Sequence, residues 1–369
     1  MKQVLQALVT ATTALAVLAA PTAATAAPKE ADRVELQRRL DQVVAAGAVG
    51  ALVEVRDEHG VWRGTSGVAE LNTTRAVPVH SRFRAGSITK TFTATVVLQL
   101  VAEGRLQLDD PVEAWLPGAV PDGHRITVRH LLNHTSGLYD YLRTLPMPPS
   151  PEFLNNRWRT WTPDELVARA VANPPTSEPP GSTFAYSNTG YLLLGQIVEQ
   201  VTGRSYGEEI ERRIIRPLRM HSTSLPGTSP RIPGPHPRGY VPITQDGDLL
   251  DYTQMNPTVM GAGGEIISTT TDLNRFFAAL LNEHLLPRHL LDEMTTPAVQ
   301  GRTYGLGLAW RVTTCGTRIY GHDGDALTYQ SWAFSTQDTH HQVTVALTPD
   351  FRSDLDDAVN TLLDKAFCG

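Results

Sequence analysis

The chain has 369 residues, of which 41% are hydrophobic and 19% charged, with 32 Lys and Arg against 38 Asp and Glu for a formal net charge of −6. A mildly acidic chain without Lys/Arg runs lacks the electrostatic footprint of a nucleic-acid binder or of a protein held on anionic lipid. Beyond the N-terminus no stretch reaches the roughly twenty apolar residues of a membrane span.

Met1 to about Ala26 carries a lysine at position 2, an apolar middle from Val4 to Leu18 and the small residues Ala24-Thr25-Ala26. This pattern predicts a secretory signal peptide and hence an exported, soluble protein. Removing Lys2 with it moves the balance from 32 − 38 = −6 to 31 − 38 = −7. The remaining 369 − 26 = 343 residues are too many for one small core and predict two interleaved lobes. Residues 30 to 46 read as an amphipathic helix with Val34, Leu36, Leu40, Val43 and Val44 inside. Ala51 to Arg56 and Val61 to Val68 read as two strands joined by a turn at Glu58-His59-Gly60.

The stretch Phe83-Arg84-Ala85-Gly86-Ser87-Ile88-Thr89-Lys90-Thr91-Phe92 then leads into an almost wholly apolar run to Leu100. Ile88, Phe92, Val96 and Leu100 recur every fourth residue, Val97 and Val101 widen the stripe, and Gly104 supplies a stop. A helix apolar nearly all round belongs in a core. With Ser87 at its start, the hydroxyl and the Lys90 ammonium fall on one face a turn apart, which is how a serine nucleophile acquires its own base. A lysine pointing into such a core must lose its charge or find partners. The plain alternative is an N-cap serine with a lysine three residues on by chance.

Asp109-Asp110-Pro111 begins another helical turn, and Ile126 to Leu138 reads as a capped helix stopped by Gly137. Its His130 and His134 are four apart, but no glutamate sits between them and no third ligand is evident, so no metal site is expected. Residues 141 to 182 are Pro-rich, with a helix at Pro163 to Val171; such a connection is either a binding loop or a surface excursion. Tyr186 and Asn188 stand two apart before an apolar helix from Leu192 to Val201 stopped by Gly203. In extended backbone that spacing aims both side chains the same way, the alternative being a packed ring and a helix cap. Residues 225 to 260 are loop-like, and Gly261-Ala262-Gly263-Gly264 is a tight turn without dinucleotide-binding spacing. Thr271-Asp272 start a helix through Leu281.

The last part is strand-rich: Gly307 to Thr313, Arg318 to Gly321, Thr328 to Ser335 and Gln342 to Thr348, closed by a helix bearing Leu355, Val359, Leu362 and Ala366. Two N-terminal and four C-terminal strands predict an α+β fold. In it an antiparallel sheet is flanked by N- and C-terminal helices (residues 30–82 and 262–369), with a mostly helical lobe (83–261) inserted. A site is expected in the cleft between the lobes. Cys315 and Cys368 are the only thiols, and in an exported protein they are expected to be bridged.

With Ser87-Ile88-Thr89-Lys90, Tyr186-Ser187-Asn188 and His322-Asp323-Gly324 in this order, the chain resembles the serine β-lactamase and penicillin-binding-protein superfamily. Within it the likeness is greatest to the secreted D-alanyl-D-alanine carboxypeptidases of Streptomyces. The similarity runs from about Val34 to Gly369, takes in both cysteines, and includes His134-Thr135-Ser136-Gly137-Leu138 and Tyr304-Gly305-Leu306-Gly307. The resemblance implies two-step acyl transfer without metal or organic cofactor. Ser87 would be the nucleophile, Lys90 and Tyr186 would share the proton traffic, and Asn188 would hold the substrate amide. The backbone N–H groups of Ser87 and Asp325 would form an oxyanion hole. The implied partners are a small peptide or peptidoglycan-like substrate and β-lactams as covalent inhibitors. His322 stands where many relatives have lysine, and Asp323 beside it is expected to favour its cationic form.

The pattern departs from those carboxypeptidases where they hold the substrate's terminal carboxylate with an arginine and threonines. The matching positions here are Ala309, Asp323 and Asp325, and Arg311 is expected to substitute in part. Two like charges about 4 Å apart repel by about 4 kcal/mol at a protein-like dielectric. Three readings follow: a D,D-carboxypeptidase; a sister hydrolase acting on D-amino-acid peptides, amides or esters, or a β-lactamase-like one; and a catalytically silent penicillin-binding sensor.

Overall fold

A computed structural model describes residues 27–244 and 247–369; the expected leader, residues 1–26, lies outside the described residues. Helix α1 (Ala27–Ala45) leads into strands β1 (Ala48–Asp57) and β2 (Gly60–Gly67). A 3₁₀ turn over Gly86–Ile88 runs into α2 (Thr89–Ala102), and α3 (Asn188–Thr202) and α4 (Thr270–Leu281) follow. Strands β3 (Ala309–Val312), β4 (Arg318–Asp325), β5 (Gln330–Thr336) and β6 (Gln342–Pro349) precede the closing α5 (Asp356–Cys368).

The six strands form one antiparallel sheet in the order β2-β1-β6-β5-β4-β3, so both chain ends build it as expected. β1 is buried on both faces, and its run of apolar residues follows from that. Ala51, Val53 and Val55 face α1 and α5, packing with Leu36, Leu40, Val359 and Leu362, while Leu52 faces the helical core. Val34, expected inside, is 64% exposed, because it lies off the stripe that Leu36, Leu40 and Val43 make on α1.

On the other face, α2 is buried nearly all round. Ile88, Phe92, Val96, Val97 and Leu100 are each inaccessible, and Phe92 stacks on Phe276 of α4 with ring centroids 3.7 Å apart. Each such side chain contributes about 1.5 to 3 kcal/mol by burial. Glu54 of β1, wholly buried, ties the sheet to α4: it accepts from Arg63 Nε (2.8 Å), from Asn274 Nδ2 (3.3 Å) and from the Thr271 hydroxyl.

Three local expectations are corrected. The helix expected from Ile126 to Gly137 spans only Val128–Leu132, because Asn133 leaves helical geometry and His134 takes a left-handed φ of 58°. α3 begins four residues earlier than expected, so Asn188 is its first residue. A helix at Arg288–Thr295 and the two short strand pairs, Phe83–Arg84 with Ile267–Ser268 and Tyr240–Pro242 with Leu249–Asp251, lack long-period signals and were not expected. Among the described residues no helix is long and apolar enough to cross a membrane.

Candidate active site

Ser87 sits in the 3₁₀ turn that opens α2, and the backbone there is forced into place by the end of β4. Gly86 has a φ of +54°, and a Cβ on it would lie 2.6 to 2.7 Å from the carbonyl oxygen, carbon and nitrogen of Asp325. Only glycine fits that conformation and that approach. The contact sets the Asp325 backbone beside the nucleophile's own, as an oxyanion hole made from these two residues requires.

Lys90 follows one turn later and is 0% exposed. Its Nζ lies 2.9 Å from Ser87 Oγ, 2.7 Å from Asn188 Oδ1 and 2.8 Å from the Gly263 carbonyl oxygen. Asn188 Nδ2 donates to Asp140 Oδ2 at 3.0 Å, which fixes the amide so that Oδ1 must face the lysine. Two of the three Nζ partners can therefore only accept. A neutral amine has two hydrogens for them, and its lone pair is left facing the serine hydroxyl. Burial pulls the Lys90 pKa down to about 7, against the opposing pull of the Asp140 and Asp323 carboxylates. The amine is thus available as a base near neutral pH.

Tyr186 completes the triangle, its hydroxyl donating to Ser87 Oγ at 2.9 Å. Burial pushes its pKa well above the ordinary phenol value, so it keeps its proton and serves as a donor. Its ring is backed by His134, with ring centroids 4.1 Å apart.

The remaining expected site residues divide. Asp325 lines the cavity beside Ser87, and burial raises its carboxyl pKa. Asn188 also lines the cavity, but both ends of its amide are engaged by Lys90 and Asp140, so it holds the lysine rather than a free donor for substrate. His322 corrects the expectation of a cationic group facing the cleft. It is 2% exposed, does not line the cavity, and hydrogen-bonds Tyr304 Oη at 3.0 Å through Nε2. Burial lowers its pKa, outweighing the field of Asp323. Asp323 and Arg311 are corrected for a geometric reason, since alternate residues of a strand face opposite sides. Asp323 pairs with Trp332 and Arg311 with Ile319, residues that pack toward α1 and α5. Arg311 Nη1 donates to Asn360 Oδ1 of α5 at 2.8 Å and its guanidinium lies 4.0 Å from the Phe334 ring centroid, so it does not reach the nucleophile.

The cavity at Ser87 has a volume of about 490 Å³. Its wall away from the nucleophile is aromatic and thioether-rich, with Phe153, Trp161, Tyr252, Met147, Met255 and Met260. Segments within 141–182 and 225–260 supply these residues, so both run along the cavity rather than away from it. Arg157 is the lining cation, clamped 4.6 Å and 4.7 Å from the rings of Trp158 and Tyr252. Sequence reasoning missed Asp140, Gly263, His134 and Tyr304. The last two sit in stretches that carry the resemblance; the spacing of His134 from His130 points only to a metal pair, and Tyr304 has no spacing that signals chemistry.

Residues 36–365 match the family model described as Beta-lactamase. A solved D-stereospecific amidohydrolase from Streptomyces sp. is 41% identical, superposes with a TM-score of 0.82 and shares 89% of this chain and 98% of its own. The D-amino acid amidase of Ochrobactrum anthropi SV3 is 28% identical with a TM-score of 0.79, over 92% of this chain and 99% of that one. Penicillin-binding protein 4 of Amycolatopsis lactamdurans is 30% identical over 79% of each chain. The chain spans 52 to 60% of the length of several other curated relatives.

Proposed function

We propose, from the premise that the chain belongs to the Beta-lactamase family of serine hydrolases, that it cleaves amides, peptides or esters of D-amino acids by way of an acyl-enzyme on Ser87. Neutral Lys90 takes the Ser87 proton as Oγ attacks the scissile carbonyl. The negative charge that develops on the carbonyl oxygen is met by the N–H groups of Ser87 and Asp325. As the bond to the leaving group breaks, Tyr186 gives its proton to the leaving group, and the proton that Lys90 took from Ser87 restores the phenol. Water then hydrolyses the ester, with the same groups acting in reverse.

The observation that carries the substrate class is the placement of charge. Next to the nucleophile the cavity is lined by Asp325 and by no cation among the described residues, while Arg311 is turned to the far face of the sheet. A leaving group with a free carboxylate finds no counter-charge beside Ser87, whereas a neutral leaving group needs none. The aromatic wall suits a large apolar side chain on the acyl residue. The D-stereospecific amidohydrolase and the D-amino acid amidase among its relatives support this reading. A D,D-carboxypeptidase is the second reading, favoured by Arg157, which has no carboxylate partner among the described residues and lines the same cavity. The leader pattern and the Cys315–Cys368 bridge support export as the protein's location.

One paired assay separates the readings: a D-Ala-D-Ala peptide with a free terminus and the same peptide amidated, alongside amides of D- and L-amino acids with aromatic side chains. The amidated peptide and the D-aromatic amides are expected to be preferred. Faster turnover of the free-terminus peptide would replace this reading with the carboxypeptidase. Ser87→Ala is expected to abolish both hydrolysis and covalent labelling by a β-lactam, and labelled protein in the intact mass of that variant would remove Ser87 as nucleophile.

A further inference from the structure

Behind Ser87, three side chains that do not line the cavity form a hydrogen-bonded chain whose proton order is set from both ends. At one end the Ser187 backbone N–H donates to His134 Nδ1 at 3.2 Å. That nitrogen must hold a lone pair, so the neutral ring carries its proton on Nε2. Nε2 lies 3.2 Å from Tyr304 Oη and donates to it. At the other end His322 Nδ1 faces the carbonyl oxygen of Asp323, which can only accept, so this ring carries its proton on Nδ1. Its Nε2, 3.0 Å from Tyr304 Oη, is then an acceptor for the tyrosine proton. One hydroxyl accepts from the first ring and donates to the second.

The neutral state of both rings is consistent with their surroundings. Both are buried, both pKa values are lowered chiefly by that burial, and Lys90 lowers them further. The ionisable groups whose fields reach the chain are Lys90, Tyr186, Tyr191 and, from the far face of β4, Asp323. Tyr191 gives its own proton to the Leu132 carbonyl at 2.9 Å. Only Asp323 favours a second proton on His322, and taking it would place N–H groups of both rings against Tyr304 Oη.

We infer that Tyr304 is a positioning residue of the reaction: accepting from His134 and donating to His322 Nε2, it occupies the lone pair at which His322 could take a second proton, so that no second cation stands beside Lys90 behind Ser87. This rests on the reading of Lys90 as the base. On accepting the serine proton Lys90 becomes an ammonium, and an imidazolium at either ring would repel that charge as it forms. The His134 ring also backs the ring of Tyr186, so the tautomer that fixes His134 fixes the donor to Ser87.

The test joins kinetics to imidazole ¹⁵N NMR on the full folded protein. In the wild type, His134 is expected as the Nε2–H and His322 as the Nδ1–H tautomer, both rings neutral at neutral pH. Tyr304→Phe is expected to lower kcat about tenfold or more with KM nearly unchanged, because the chain does not touch the cavity, and to raise the pH at which His322 gains a second proton, its Nε2 lone pair being freed. His322→Gln keeps a neutral acceptor for Tyr304 and is expected to recover turnover relative to His322→Leu; a cationic or acid role for His322 predicts no such recovery. In the wild type, opposite tautomers or a doubly protonated His322 at neutral pH overturns the inference, as does a Phe variant with unchanged kcat. If Tyr304→Phe does not fold, the wild-type spectra and the Gln against Leu comparison decide alone. The spectra need no substrate, and acylation by a β-lactam can report Ser87 chemistry, so an error in the substrate class is separable from an error here.

Discussion

Lys90 shows how one side chain can satisfy its surroundings in a single protonation state. Two of its three partners, Asn188 Oδ1 and the Gly263 carbonyl, are pure acceptors, and the third is the hydroxyl it must deprotonate. Because the pKa is pulled down to about 7, the base form is lost as pH falls through that value. The expected profile of kcat/KM against pH therefore rises through an acid limb centred near 7. Asp140 pulls the other way, stabilising the ammonium, so Asp140→Asn is expected to shift the limb to lower pH while an amide still accepts from Asn188. A limb that stays in place or moves upward would show that another group titrates. Tyr186 is the complementary case. Its raised pKa makes it a donor throughout the neutral range, and Tyr186→Phe is expected to slow turnover by about a hundredfold to ten-thousandfold at unchanged thermal stability. Unchanged turnover would leave Lys90 to move both protons.

At the scale of elements, the site exists because the turn opening α2 abuts the end of β4. The approach is so close that Gly86 has no room for a Cβ, and Gly324 would likewise drive one to 2.0 Å from the Ala85 carbonyl oxygen. Gly86→Ala is expected to separate Ser87 from the Asp325 N–H and to lower kcat by about a hundredfold or more, in the range of losing one oxyanion donor. Slow β-lactam acylation with near-native circular dichroism would agree; native acylation rates would mean that the two elements need not touch. β4 also distributes function by its pleat. His322 and Asp323 are adjacent, yet one points into the buried chain behind the nucleophile and the other toward solvent on the far face.

For the molecule as a whole, the sheet separates two cores, and the bridge between Cys315 and Cys368 belongs to the one remote from the cavity. It joins the β3–β4 turn to the end of α5 across 53 residues of sequence. In the chain-entropy view such a closure is worth about 4 kcal/mol. Replacing both cysteines by serine is expected to lower Tm by roughly 5 °C, with kcat and KM retained. Equal loss of activity and stability would mean that the two faces of the sheet are coupled. Titration of the denatured, unreduced protein is expected to find no free thiol.

Adjacency along the chain decided a large part of this protein before any folding is considered. Ser87 and Lys90 are one helical turn apart on a segment too apolar to be anywhere but inside, and two cysteines can make only one bridge. The apolar or alternating β-rich runs of β1, β2 and the four late strands set the strands of the sheet, because such runs are a local property. What remained open was everything that depends on which residues distant in sequence meet. Asp140 reaches Asn188 and Tyr304 reaches both His134 and His322 only after the helical segments fold against the sheet. The face of a strand residue relative to the cleft, which removed Arg311 and Asp323 from the site, depends on where strand ends fall and what packs on each side. The charge of His322 was decided the same way: next to Asp323 in sequence it reads as a cation, but complete burial outweighs that neighbour and leaves it neutral.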